Sequence, residues 1–80
     1  MRIDKFLKNS RIIKRRTVAK DACDQGKILV NGKEAKPGTE VKVGDQITME
    51  FGPKKMVVVV DDLSEHVTKD VAKEMFHIVE

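Results

Sequence analysis

The hydrophobic period of the chain changes at Gly26, and this change is the strongest constraint on the fold. Before Gly26, apolar residues recur three or four positions apart, which is typical of amphipathic helices. After it, apolar and polar residues alternate in short runs separated by Gly, Asn and Pro, which is typical of hairpins. Two helices followed by short strands predict an α+β protein. A chain of 80 residues has room for one small core, so we expect a single domain over residues 1–80.

The two predicted helices cover about Asp4–Ser10 and Arg15–Gln25. Asp4 is suited to be the N-cap of the first helix, because a carboxylate there accepts hydrogen bonds from the free amides of the first turn. The apolar face of this helix is formed by Ile3, Phe6 and Leu7. The apolar stripe of the second helix is formed by Val18, Ala19, Ala22 and Cys23. Gly26 is expected to end the second helix in the left-handed conformation.

Four to five short strands in a mostly antiparallel sheet are expected after Gly26. Asn31-Gly32 favours a type I′ turn and therefore predicts a hairpin over residues 27–36. Extended backbone is expected at 41–43 and a strand at 46–51, with Phe51 on its apolar side. The valines at 57–60 predict a strand that is central or covered on both sides. In the tail, Thr68 is expected to cap a short helix, followed by a strand at 76–79.

Charge is concentrated at the two ends of the chain. Residues 1–20 carry eight Lys and Arg against one Asp, a net charge of +7. Residues 21–60 carry six charges of each sign, and residues 61–80 carry two cations against six acids, a net charge of −4. A basic end indicates a polyanionic partner. We expect the acidic end either to face away from this partner or to repel RNA that approaches from the wrong side.

The run Lys14-Arg15-Arg16 stands at the start of the second predicted helix. Cations there oppose the helix dipole and repel one another, and nothing in the local sequence compensates them. An external phosphate would do so, and helix N-termini bind phosphate through their free amides. A charge run can also be a solvated helix face. RNA is favoured over DNA, because no helix carries Asn, Gln and Arg together for reading bases in the major groove.

No catalytic, cofactor or metal site is predicted. His66 and His77 have no Cys or carboxylate partner at a recognisable spacing, and the single cysteine, Cys23, is interpreted as a small buried hydrophobic residue. The sequence contains no P-loop and no GxGxxG. One cysteine cannot form an internal disulfide, and no signal peptide or membrane span is recognisable. We therefore expect a cytoplasmic protein that is not an enzyme and has no membrane partner.

Several motifs in order resemble the S-four RNA-binding domain over about residues 1–51. They are MRIDKFL at the start, Arg16 with Ala19, GKILVNG at 26–32 and VGDQI at 43–47. This resemblance implies two helices on a small, strongly bent sheet, with RNA bound along both helices and the following loop. It places Asp4 either as a helix cap or as a partner that orients an arginine. Many members have Ser or Thr where this chain has Arg15. The candidate RNA-binding residues are Arg2, Asp4, Lys5, Lys8, Arg11, Lys14, Arg15, Arg16 and Lys20.

Over nearly all 80 residues, SRIIKRRT and the tail KDVAKEMFHIVE resemble small stand-alone S-four proteins of bacterial ribosome-associated quality control. This resemblance implies a monomer that binds a large ribosomal subunit through its rRNA and P-site peptidyl-tRNA. It also implies an RqcH-like elongation factor as partner, which adds untemplated alanine tails. Residues 61–80 would be a C-terminal extension. Four alternatives remain: a subunit rescue factor similar to heat shock protein fifteen, a generic rRNA-binding protein, the targeting domain of an RNA-modifying enzyme, and a protein adaptor using the acidic tail.

Overall fold

The computed structural model describes residues 1–65 and 67–79, and in them two helices precede an antiparallel sheet. The strand order is β2-β1-β3-β4-β5, and every neighbouring pair is antiparallel. This confirms the predicted α+β fold. The elements are α1 (Ile3–Asn9), α2 (Arg16–Asp24), β1 (Ile28–Val30), β2 (Lys33–Glu34), β3 (Gln46–Phe51), β4 (Lys54–Val60), α3 (Lys69–Ala72) and β5 (Phe76–Ile78).

The start of α1 is held by the loop at 37–41 rather than by a capping side chain. The amides of Ile3 and Asp4 donate to the carbonyls of Thr39 (2.7 Å) and Pro37 (3.4 Å). Arg2 occupies the N-cap position, and its side chain makes no capping hydrogen bond. The prediction that Asp4 is the N-cap is therefore wrong. Because the loop satisfies the first amides, the Asp4 carboxylate is available for other partners.

Helix α2 packs on α1 and β1 through small side chains. Ala19, Ala22 and Cys23 are buried as predicted, but Val18 is 47% exposed, so its assignment to the apolar stripe is wrong. The small side chains of alanine and cysteine let α2 approach α1 and β1 closely, so only a narrow face of the helix is in contact with them. Val18 lies outside this face. Burial, followed by the charges of Asp4 and Asp24, raises the pKa of the Cys23 thiol to about 11, so this thiol is inert at neutral pH.

The hairpin turn and the central valine strand are confirmed. Asn31 and Gly32 have φ values of +52° and +84°, as the type I′ turn requires. Strand β4 lies between β3 and β5, and Val57, Val58 and Val60 are buried. Val58 and Val60 belong to a core shared with α1, where Ile3, Phe6 and Leu7 are fully buried.

The prediction that Phe51 lies on the apolar side of its strand is wrong. Phe51 is 42% exposed rather than in the core, because it pairs with Lys54 at the far end of the β3–β4 hairpin, beyond the layer of helices. Residues 41–43 form no strand: Val41 is buried and donates its amide to the Met1 carbonyl at 2.9 Å, whereas Val43 lies in an exposed turn.

The C-terminal segment folds back onto the rest of the protein. Thr68 caps α3 as predicted, with its hydroxyl accepting from the Val71 amide at 3.3 Å. Strand β5 completes the sheet beside β4. His77 Nδ1 lies 2.8 Å from Asp61 Oδ2, a pairing that the sequence did not predict. His66 lies outside the described residues. No helix in the described ranges is both long and apolar enough to cross a bilayer.

Candidate RNA-binding surface

A buried carboxylate stands at the centre of the basic surface. Asp4 Oδ2 accepts from Arg16 Nε at 3.1 Å, and Oδ1 accepts from Arg16 Nη2 at 3.4 Å. Arg2 Nε lies 3.5 Å from Oδ1, and the Lys5 amide donates to the same oxygen at 2.8 Å. The Asp4 side chain is fully buried beneath these groups. Of the two roles open for Asp4, the structure favours the one that orients an arginine.

The charge on Asp4 is stabilised by its neighbours. Burial by itself raises the pKa of the carboxyl, but the hydrogen bond and charge of Arg16, the Lys5 amide and the charge of Arg2 lower it below 3.8. Asp4 is therefore ionised at neutral pH and compensates Arg16 at the start of α2. The sequence prediction considered only local residues and did not identify this carboxylate. Asp4 is twelve residues from Arg16 in sequence, and α1–α2 packing brings them together.

Arg2 and Arg16, held by Asp4, form what we call the anchored cluster. Their side chains are 49% and 41% exposed, so each guanidinium has one edge towards Asp4 and another towards solvent. The Arg2 guanidinium also lies beside Gly38, where an added Cβ would be 3.7 Å from Nη2. A guanidinium has five N–H donors, so the solvent-facing donors remain available for phosphate oxygens.

Lys8, Arg11 and Lys14 form a second group, which we call the loop cluster because it follows the end of α1. They line a groove of about 280 Å³ together with Asn9, Glu65 and Val67. Arg11 has a φ of +61°, a conformation uncommon for residues other than glycine, and all three side chains are exposed. Within residues 1–65 and 67–79, none of the three forms an ion pair.

The remaining candidates are placed separately. Lys5 Nζ lies 2.9 Å from Glu65 Oε1, and Asn9 Nδ2 donates to the Ser64 carbonyl at 3.4 Å, so the acidic segment contacts the basic helix. Glu65 therefore brings negative charge next to Lys5 on the first helix. Arg15 is the exposed N-cap residue of α2, and Lys20 is exposed on the same helix.

Two cations that sequence reasoning missed lie on the same side of the protein. Lys69 and Lys73 line a groove of about 440 Å³ between the C-terminal segment and the residues that follow α1. Its other lining residues are Ser10, Arg11, Lys14, Ala72 and Phe76. The four-residue spacing of the two lysines was a usable signal, because it places them on one face of a helix. The net negative charge of the tail concealed it.

The arrangement is suited to holding anions. In the described ranges, no group of three or more His, Cys, Asp and Glu side chains is placed to hold a metal ion. The surface offers half-exposed guanidinium groups and exposed lysines, which are the groups that bind RNA phosphates.

Comparison with known proteins gives a consistent picture. Residues 1–47 match the family model of the S4 domain, the S-four family. The chain is 52% identical over 79 residues to the RQC P-site tRNA stabilizing factor of Listeria monocytogenes, covering 99% of this chain and 86% of that protein. It is 49% identical over 79 residues to the factor of the same name from Bacillus subtilis, covering 99% of this chain and 92% of that one.

Among solved structures, the trimeric heat shock protein 15 of Vibrio cholerae superimposes with a TM-score of 0.89 at 29% identity. The match covers 99% of this chain and 81% of that one. The arrangement of helices and sheet is therefore shared beyond the group of tRNA stabilizing factors.

Proposed function

Because this chain belongs to the S4 domain family and is a homologue of the RQC P-site tRNA stabilizing factors, we propose that it is a non-enzymatic, cytoplasmic RNA-binding factor of bacterial ribosome-associated quality control. The anchored cluster is the observation that carries this proposal. A fully buried carboxylate holds two arginines with one edge towards solvent, which prepares them to bind phosphate oxygens before RNA arrives.

The RNA-binding residues of the proposal are the nine candidates, in three roles. Arg2 and Arg16 contact phosphate directly, and Asp4 orients them. Positive charge along both helices and the connection between them comes from the exposed Lys8, Arg11, Lys14, Arg15 and Lys20 and from the partly buried Lys5. Because this segment spans two helices, it presents more than one basic face, and the protein acts by holding two RNA molecules in a productive arrangement.

The two RNA partners that we propose are the rRNA of an obstructed large ribosomal subunit and its P-site peptidyl-tRNA. The protein acts there as a monomer and supports an RqcH-like factor in extending untemplated alanine tails. The names and full-length similarity of the relatives support the quality-control role. The fold likeness to heat shock protein 15 favours a subunit rescue factor as the second candidate.

The test is tail length on a stalled reporter in a strain that lacks the gene, complemented with wild type or with Arg16→Ala. We expect short tails in the deletion and in the Arg16→Ala strain, and restored tails with wild type. Sedimentation should show the wild-type protein on large subunits carrying peptidyl-tRNA more than on empty subunits. Tails of normal length in the deletion strain, with normal occupancy of subunits by the RqcH-like factor, would contradict the quality-control role.

A further inference from the structure

We propose that the groove lined by Lys69 and Lys73 is a second RNA-binding surface, which holds an RNA backbone beyond the anchored cluster. This inference rests on the proposed function, since it assumes that the protein binds RNA, and adds a site formed by the C-terminal segment. We call this site the tail groove. It measures about 440 Å³ and lies between α3 and the residues that follow α1.

The charge of the tail groove is one-sided. Its described lining residues are Ser10, Arg11, Lys14, Lys69, Ala72, Lys73 and Phe76. Four of these are cations, and none is a carboxylate. Within the described ranges, none of these four cations forms an ion pair. Four like charges around one groove repel one another, and a polyanion in the groove would relieve that repulsion.

Residues 69–74 segregate their charges. Lys69 and Lys73 are four residues apart and line the groove, whereas Asp70 and Glu74, also four residues apart, are exposed outside it. The net charge of −4 over residues 61–80 therefore hides a local positive face. This face adjoins the basic residues of the N-terminal segment, so the two ends of the chain together form one positive surface.

The chemistry of the groove fits a nucleotide chain better than a simple anion. Phe76, which is partly exposed, adds apolar surface between the cations, and this suits the ribose and base faces that accompany each phosphate. Arg11 and Lys14 also line the neighbouring groove of the loop cluster, so one RNA backbone can pass from one groove to the next. This continuity with the candidate RNA-binding surface favours RNA over an acidic protein segment as the occupant.

The test compares Lys69→Gln/Lys73→Gln with a matched control, Lys54→Gln/Lys55→Gln, which removes the same charge from the exposed start of β4. The probe is a fluorescently labelled tRNA transcript, titrated between 50 and 200 mM salt. Each lost phosphate contact should lower the magnitude of the log–log salt slope by about 0.7–0.9. We expect the tail-groove variant to bind about tenfold more weakly at low salt, with a slope smaller by roughly 1.5, and the control to change less than threefold.

Both double variants should melt at the wild-type temperature, because the four lysines are exposed. If the tail-groove variant binds tRNA as well as the control variant does, the proposed RNA site in the tail groove is wrong. The same result is expected if the groove holds an acidic protein segment instead of RNA. If Arg16→Ala abolishes binding in that case, the proposed function stands without the groove. A wild-type protein whose affinity does not change with salt overturns both.

Discussion

The anchored cluster and the loop cluster carry the same kind of charge but are built differently. Arg2 and Arg16 are held by a buried carboxylate that contacts both of them. Lys8, Arg11 and Lys14 are exposed around a groove, and none is paired within the part of the chain that the structure describes. The anchored side chains have a fixed direction before a ligand arrives, whereas the loop side chains are free to adjust.

This difference has opposite consequences for binding. Ordering a long flexible side chain at an interface costs about 0.5–1.5 kcal/mol, and the anchored arginines have lost part of that freedom on folding. Asp4, however, cancels one of their two charges, so the anchored cluster has a net charge of +1 against +3 for the loop cluster. We infer that the anchored cluster sets the register of RNA, and that the loop cluster mainly attracts it.

The largest expected effect comes from removing the anchor with Asp4→Asn. Losing one partner of a buried ion pair costs about 3–5 kcal/mol, and we expect a value near 3 because both arginines can reach solvent. Urea unfolding at neutral pH measures it. RNA affinity should fall as well, since Arg2 and Arg16 lose their common orientation. A variant as stable as wild type would remove the distinction between the two clusters.

The same anchor predicts a pH dependence with a definite sign. The pKa of Asp4 in the folded protein lies below 3.8, so its contribution to stability is fully present above that pH. It is lost as the pH falls through the lower folded-state pKa. Wild type should therefore lose stability over this acidic range more steeply than Asp4→Asn. Parallel acid-unfolding curves for the two proteins would contradict the ion-pair role.

An intermediate effect is expected when one arginine of the anchored cluster is removed by Arg16→Ala. Removing a cation from a helix N-terminus raises the free energy of unfolding by about 0.3–1 kcal/mol. This effect alone would make Arg16→Ala as stable as wild type or slightly more stable. Leaving a buried acceptor without its hydrogen-bond donor costs about 1–3 kcal/mol, and this loss is larger. We therefore expect Arg16→Ala to melt earlier than wild type and to bind RNA at least tenfold more weakly.

Lys14→Ala is the matched control in the loop cluster. It removes a cation close to the start of the same helix, but no carboxylate among the described residues depends on it. Its melting temperature should stay at the wild-type value, and its affinity should fall less than that of Arg16→Ala. If Lys14→Ala and Arg16→Ala have the same melting temperature, the loss of the contact with Asp4 is not what destabilises Arg16→Ala.

What the sequence predicted well depends on local physics. The glycine and asparagine of the Asn31-Gly32 turn adopt the required φ values without help from the rest of the fold. Thr68 caps a helix that starts at the next residue. Ile3, Phe6 and Leu7 follow a helical period that gives them one face.

What the sequence did not predict depends on contacts between distant residues. Asp4 meets Arg16 only because α1 packs on α2, and it is not a cap because residues 37–41 take over that role. Phe51 has the alternation of a core residue, but its strand extends beyond the helices. Lys69 lies on the basic surface because the C-terminal segment folds back towards the residues that follow α1. The net charge of residues 61–80 is negative, so the sequence predicted the opposite sign for this segment.

The smallest expected effect tests whether an exposed carboxylate can anchor a cation as Asp4 does. Glu65 lies 2.9 Å from Lys5, but its side chain is 66% exposed, and exposed ion pairs contribute about 0–1 kcal/mol. Glu65→Gln should therefore leave the melting temperature within a degree or two of wild type. It should raise RNA affinity about twofold to threefold at low salt, because Lys5 no longer divides its charge between Glu65 and phosphate, and high salt should abolish this gain in affinity.

The control is Glu50→Gln on β3, which makes the same charge change away from the helices and should raise RNA affinity less. A gain equal to that of Glu50→Gln would mean that the Lys5–Glu65 pair does not compete with RNA. A marked loss of affinity in Glu65→Gln would instead make Glu65 a second anchor, and Lys5 would then belong with Arg2 and Arg16.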